Sequence, residues 1–131
     1  MHLSMTLSLP RQPSSVSGAR RVLTTLMSLT EAGEETRDHL AVLISEACAN
    51  AVRHAEPDST VDISIDLDDH DCVLQVGNRG TSPDGAGLRA ALPAPLTIGG
   101  RGLPLITALA DTATFVPGPP GQVLLRMTKR L

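Results

Sequence analysis

The segment 44–54, ISEACANAVRH, constrains this chain most: it sets Glu46, Asn50 and His54 four residues apart in an otherwise apolar stretch. A helix advances about 100° per residue, so steps of four bring side chains nearly into line. On such a helix Leu40, Leu43, Ile44, Ala47, Cys48 and Ala51 fill most of one arc. The acid, the amide and the imidazole line the edge of that arc, not its opposite side. Polar groups at the rim of a core are costly unless something uses them. Two readings stand side by side. One is a solvated helix edge. The other is a carboxylate and an amide oxygen, one turn apart, serving a hard cation or a water between them.

The remaining elements follow from local patterning. Residues 5–9 make a short apolar strand ended by Pro10, and 11–14 a turn with Pro13. Ser14 or Ser15 is placed to cap a helix running to about Thr30, with Val16, Val22, Leu23, Leu26 and Leu29 as its apolar positions. After a polar connection with Gly33, the second helix is expected from about Thr36 to His54. Residues 61–67 alternate: Val61, Ile63, Ile65 and Leu67 to one side, Asp62, Ser64 and Asp66 to the other, which predicts a half-buried strand. An acidic turn at 68–71 leads into a returning strand from Cys72 to Val76, a hairpin. Segment 81–98, rich in Gly, Pro and Ala, reads as a functional loop with one helical turn near 88–92. A short helix at 103–110 and a second hairpin, 112–116 with 122–127, complete the chain.

Composition removes several function classes. With 131 residues the chain suits one compact domain. A formal net charge of −3 with no long basic block argues against a nucleic-acid surface. Phe115 is the one aromatic residue, so stacking platforms for bases are missing. Cys48 and Cys72 fall in a helix and a strand, outside any ligand spacing, and read as buried free thiols. No stretch is long and apolar enough to span a bilayer, and the start MHLSMTLSLPRQ lacks a signal-peptide pattern. A cytoplasmic protein is the expectation.

Two glycine clusters flank the irregular loop. Val76-Gly77-Asn78-Arg79-Gly80 closes a strand, and Gly99-Gly100-Arg101-Gly102-Leu103 opens a helix. Glycine lets a backbone approach a ligand closely, and a helix N-terminus offers free N–H groups to phosphate. Either cluster alone is weak. The order E-x-x-x-N on a helix, a polar residue and Gly at a strand end, a loop, then G-x-G-L resembles the GHKL ATP-binding fold of histidine kinases, gyrase B, Hsp90 and MutL. Within that fold the layout is most similar to the anti-sigma factor serine/threonine kinases of the RsbW and SpoIIAB type, with the small regulatory ATP-binding proteins of actinobacteria.

The resemblance implies a role for each matching residue. Asn50 would hold Mg2+ against the phosphates of ATP, and Glu46 would activate the attacking hydroxyl or water. His54 matches a less fixed position of the same motif. Gly100, Arg101, Gly102 and Leu103 match the loop and helix start over the phosphates, Gly80 a glycine under the adenine, and 81–98 the ATP lid. The family's strand usually ends in D-x-G-x-G, whose Asp accepts a hydrogen bond from the adenine amino group; here that position is Asn78, and the second Gly position is Ser82. An Asn oxygen still accepts the bond but without a full charge, a difference of about 1 kcal/mol.

Other polar features carry less. Arg20 and Arg21 match the helix on which family members touch their sigma factor, and a solvated basic face is the simpler reading. Arg101 could pair with a phosphate or be a surface charge. Asp68, Asp69, His70 and Asp71 have the composition of metal ligands and the adjacency of a hairpin turn. The expectation is therefore an α/β two-layer sandwich, a mostly antiparallel mixed sheet with helices on one face, forming a single histidine-kinase-like ATP-binding domain over 1–131. The implied function is an anti-sigma factor that uses ATP and Mg2+ to phosphorylate a serine or threonine of an antagonist. Its implied partners are a sigma factor, a STAS-domain antagonist and, as in many family members, a second copy. The alternatives are a non-catalytic binding protein with a degenerate nucleotide site and the ATP-binding domain of a sensor histidine kinase.

Overall fold

The computed structural model describes residues 1–54, 58–78, 102–117 and 123–131. Its elements are β1 (Leu3–Pro10), α1 (Ser14–Met27), α2 (Glu34–His54), β2 (Thr60–Leu67), β3 (Asp71–Asn78), α3 (Gly102–Leu109), β4 (Thr112–Pro117) and β5 (Val123–Arg130). The strands form one sheet in the order β1-β2-β3-β5-β4. All four pairings are antiparallel, so the described sheet holds no parallel pair. The loop 81–98 and its expected helical turn lie outside the described residues.

Alternation builds two unlike faces. On β2, Val61, Ile63, Ile65 and Leu67 are buried, and on β3 Cys72, Leu74, Val76 and Asn78 continue the same face. The opposite face is polar and bonded across strands. Ser8 Oγ donates to Asp62 Oδ1 (2.9 Å), Ser4 Oγ bonds Asp66 Oδ1, and Gln75 Nε2 reaches Ser64 Oγ at 3.5 Å. Such cross-strand pairs satisfy the solvent side of a sheet whose other side is packed.

Helix α2 covers the apolar face, touching β2, β3 and β5, while α1 and α3 pack against α2. Its buried residues are Leu40, Leu43, Ile44, Ala47, Cys48 and Ala51, the arc that the spacing predicts. Each large aliphatic side chain removed from water there contributes about 1.5–3 kcal/mol. Glu34 and Glu35 in the first turn and Arg53 and His54 in the last suit the helix dipole.

Two details of α1 depart from the local reading. Neither Ser14 nor Ser15 caps α1, whose N-cap position is Pro13 without a side-chain cap. Ser15 is buried, and its hydroxyl instead donates to Pro10 O at 2.7 Å, tying α1 to the end of β1. Helix α1 also ends at Met27, and Ser28, Leu29 and Thr30 continue as i→i−3 turns with N–H bonds to Thr25, Leu26 and Met27. The acidic hairpin turn is an Asx turn: Asp68 Oδ1 accepts from the N–H groups of His70 and Asp71, both at 2.7 Å. Those two bonds hold the Asp68 carboxyl below its usual range. Among the described residues no cluster of His, Cys, Asp and Glu could hold a metal, and no helix is long and apolar enough to cross a membrane.

Cys48 and Cys72 are free and fully buried. Burial pushes the Cys48 thiol up to about 11; burial and then the Asp66 carboxylate push Cys72 up to about 12, from 9.0. The folded state thus keeps protons that the unfolded chain releases. That contribution is full below pH 9 and falls as pH rises toward the folded values, by at most about 1.4 kcal/mol per unit per thiol. Denaturant midpoints should therefore drop between pH 8 and 10 in the parent and less so in a Cys48→Ala, Cys72→Val double variant. Equal pH profiles for the two proteins would contradict the assignment.

Candidate functional site

The register brings the polar sequence candidates to one end of the sheet. Asn78, the last residue of β3, pairs with Val61 at the start of β2 and with Val123 at the start of β5. Helix α2 ends at His54, six positions before β2 begins at Thr60, and it packs on β3. The C-terminal part of α2 therefore leads toward the end of the sheet where β2 starts and β3 finishes. Along α2, Glu46 and Asn50 are half-buried and His54 is exposed. That gradient is what a line of side chains leaving the edge of a core produces.

Asn78 is the unusual member. It is 9% exposed and continues the core-facing register of Cys72, Leu74 and Val76. Among the described residues its side chain has no hydrogen-bond partner. Ser15, the other buried polar residue described, is satisfied by Pro10 O. An unmade bond to a buried amide costs about 1–3 kcal/mol, so such a group points to something that binds it.

Asn50 has a neighbour that the sequence reading did not single out. Arg53 Nη2 donates to Asn50 Oδ1 at 3.4 Å, a long bond between exposed and half-buried groups. The N-x-x-R spacing, three residues apart on a helix, is the signal that could have found it. It places a guanidinium, a ready partner for phosphate or carboxylate, beside the amide oxygen.

Helix α3 begins at Gly102, with Leu103 next. Its far end is anchored by Lys129 Nζ, which donates to Leu109 O at 2.7 Å, and by Asp111 N, which donates to Thr128 O at 2.8 Å. Ile106 is fully buried, and Leu105 stays 44% exposed. The free N–H groups of its first turn belong to Gly102 and Leu103, since Pro104 has none. Gly80, Gly100 and Arg101 lie outside the described residues. An open cleft of about 610 Å3 lies at the opposite end of the sheet, between the 29–33 connection and the Asp68–Asp69 turn, away from Asn78.

The donor set fits a nucleotide with a hard cation. Glu46 and Asn50 present oxygens, the type Mg2+ takes, and that ion is usually held by one or two protein oxygens plus phosphates and water. The amide of Asn78, buried and without a partner among the described residues, carries both a donor and an acceptor.

The family model of the histidine kinase-like ATPase domain matches residues 9–129 of this chain. The serine-protein kinase RsbW of Listeria innocua is 31% identical over 125 residues, covering 85% of this chain and 78% of the relative. RsbW of Listeria monocytogenes serovar 1/2a matches with the same identity and coverage. Among solved structures, the RsbU and RsbW domains of Rv1364c from Mycobacterium tuberculosis superpose with a TM-score of 0.72 at 20% identity. That match covers 98% of this chain and 32% of the other, so this chain spans about a third of that protein's length. SiaB in the SiaB–SiaC complex of Pseudomonas aeruginosa gives a TM-score of 0.59 at 19% identity, covering 97% of this chain and 89% of the other. These two likenesses concern the fold.

If the Asn78 amide is kept for a ligand, removing it should not weaken the free protein. Asn78→Leu, branched alike and apolar, should leave the melting temperature unchanged or raise it by a few degrees, the gain of about 1–2 kcal/mol from deleting an unpaired buried group. A loss of stability in the ligand-free variant would mean that the amide serves the fold.

Proposed function

The chain belongs to the histidine kinase-like ATPase domain family, in its RsbW-like group, and we propose that it is an ATP- and Mg2+-dependent serine/threonine kinase acting on an anti-sigma factor antagonist. The observation that carries this reading is the E-x-x-x-N pair on the rim of α2, at the same end of the sheet as the unpartnered Asn78, in a chain aligned with a serine-protein kinase over 125 residues. Bound ATP would supply the phosphoryl group, and Mg2+ would neutralise charge on its oxygens. Asn50 would hold the ion through Oδ1, exchanging the long bond from Arg53 for a stronger contact. The first-turn N–H groups of α3 would face phosphate oxygens. Asn78 would receive the base, with Gly80, Gly100 and Arg101 completing the enclosure.

Glu46 would act as the base. Its carboxylate would take the proton of the attacking serine or threonine hydroxyl as that oxygen bonds to the γ-phosphorus and the bond from phosphorus to the bridging oxygen breaks, with ADP as the leaving group. A protein substrate fits an exposed rim better than a closed pocket would. The natural partners are a STAS-domain antagonist as phosphoacceptor and a sigma factor as the regulated protein, with a second copy of the chain as a further partner. The names of the relatives, a serine-protein kinase and the SiaB–SiaC complex, support a protein substrate and a protein partner. One observation favours a second reading: with neutral Asn78 in place of the family's Asp, the chain could bind partners without catalysis.

Metal use is tested on Asn50. Calorimetry should show ATP binding that strengthens with Mg2+ in the parent and loses that dependence in Asn50→Ala. No heat and no thermal shift at millimolar nucleotide would favour the non-catalytic reading.

Catalysis is tested on Glu46. Glu46→Gln keeps the shape, so ATP affinity should change little, while labelled-phosphate transfer to a STAS-domain antagonist should fall about 100-fold or more. An unaltered transfer rate would remove Glu46 from the role.

A further inference from the structure

Asn78 differs from a carboxylate in more than charge. A carboxylate only accepts hydrogen bonds, whereas a carboxamide carries an acceptor, Oδ1, and a donor, Nδ2, at nearly equal positions. Turning the amide by half a rotation about its last torsion exchanges the two. The polar edge of adenine offers an amino donor at C6 beside the N1 acceptor. Guanine and hypoxanthine offer the reverse, an oxygen at C6 beside an N1–H donor. One orientation of the amide makes a two-point contact with adenine, and the other makes it with a 6-oxopurine. A carboxylate would meet the C6 oxygen with charge repulsion and would leave it unpaired.

Among the described residues nothing holds the amide of Asn78 in one orientation. Its neighbour in register on β2 is Val61, whose side chain carries no donor or acceptor to hold the amide one way. The residue is 9% exposed, and no described side chain or backbone group bonds its amide. Water therefore competes little for it, and a base edge of the wrong polarity is not rejected by a fixed partner. Sites that impose one polarity discriminate strongly because the wrong ligand leaves buried groups unpaired. A group that can present either polarity forfeits that discrimination.

We propose that the nucleotide site accepts 6-oxopurine nucleotides, guanine and hypoxanthine, alongside adenine, with Asn78 as the residue that sets this breadth. The proposal rests on the reading of this rim as a nucleotide site. Hypoxanthine separates the C6 contact from any contact to the 2-amino group of guanine, which it lacks.

The test is calorimetry on the full chain with Mg2+ and ATP, GTP, ITP or inorganic tripolyphosphate. ATP, GTP and ITP should bind with affinities within about tenfold of one another, and tripolyphosphate much more weakly. Asn78→Asp should then strengthen ATP about fivefold and weaken GTP and ITP at least about tenfold. ATP binding with GTP and ITP weaker by about a hundredfold or more overturns the proposal and leaves the nucleotide site standing. Tripolyphosphate binding as tightly as the nucleotides also overturns it, since no base would be read. An unchanged ratio of GTP to ATP affinity in a folded Asn78→Asp protein does so as well. Silence with all four ligands overturns the nucleotide reading and this proposal together. Should Asn78→Asp not fold, the ITP-to-ATP ratio of the parent decides alone.

Discussion

The packing of α2 across β2, β3 and β5 is the contact on which the rest depends. Six small and aliphatic side chains, from Leu40 to Ala51, meet a sheet face of Val61, Ile63, Ile65, Leu67, Cys72, Leu74 and Val76. With Phe115 only half-buried and the chain's one aromatic residue, this core has no large ring to fill its gaps. It closes through close approach, helped by Ala47 and Ala51, which keep the helix near the strands. Helices α1 and α3 are positioned from α2, so the axis of that helix also sets where the first turn of α3 stands.

The same contact explains why the candidate site lies at a rim. An apolar arc of limited width ends abruptly, and the next residues around the helix sit where protein meets solvent. Glu46 and Asn50 occupy that border, half-buried, and Asn50 Oδ1 there accepts the long bond from Arg53. A carboxylate in the middle of the arc would be neutralised or expelled, and one on the outer side would face only water. The border is where a charged group can be oriented by packing and still reach a ligand.

Stability and function pull apart at Asn78. Several other described polar groups are bonded: Ser15 to Pro10 O, Asp68 to two backbone N–H groups, and Asp62 and Asp66 to serines of β1. Asn78 sits in the buried register and has no such partner among the described residues. Asn78 occupies the last position of β3.

Much of this architecture was legible in the residues because it follows from periodicity. The 3.6-residue arc of α2 and the two-residue alternation of 61–67 are local properties, and tertiary packing only confirmed which face was buried. The family was legible too, since E-x-x-x-N and the two glycine clusters stand in a fixed order. Tertiary structure alone decided what depends on residues distant in sequence. The strand order β1-β2-β3-β5-β4 sets β5 beside β3 and so pairs Asn78 with Val123, and no local pattern encodes that pairing, unlike the β2–β3 hairpin. The diversion of Ser15 from cap to strand tie depended on where Pro10 O ended up. The physical reason is range: side-chain periodicity is set by the backbone within a few residues, whereas burial and hydrogen-bond partners are set by whatever the folded chain brings alongside.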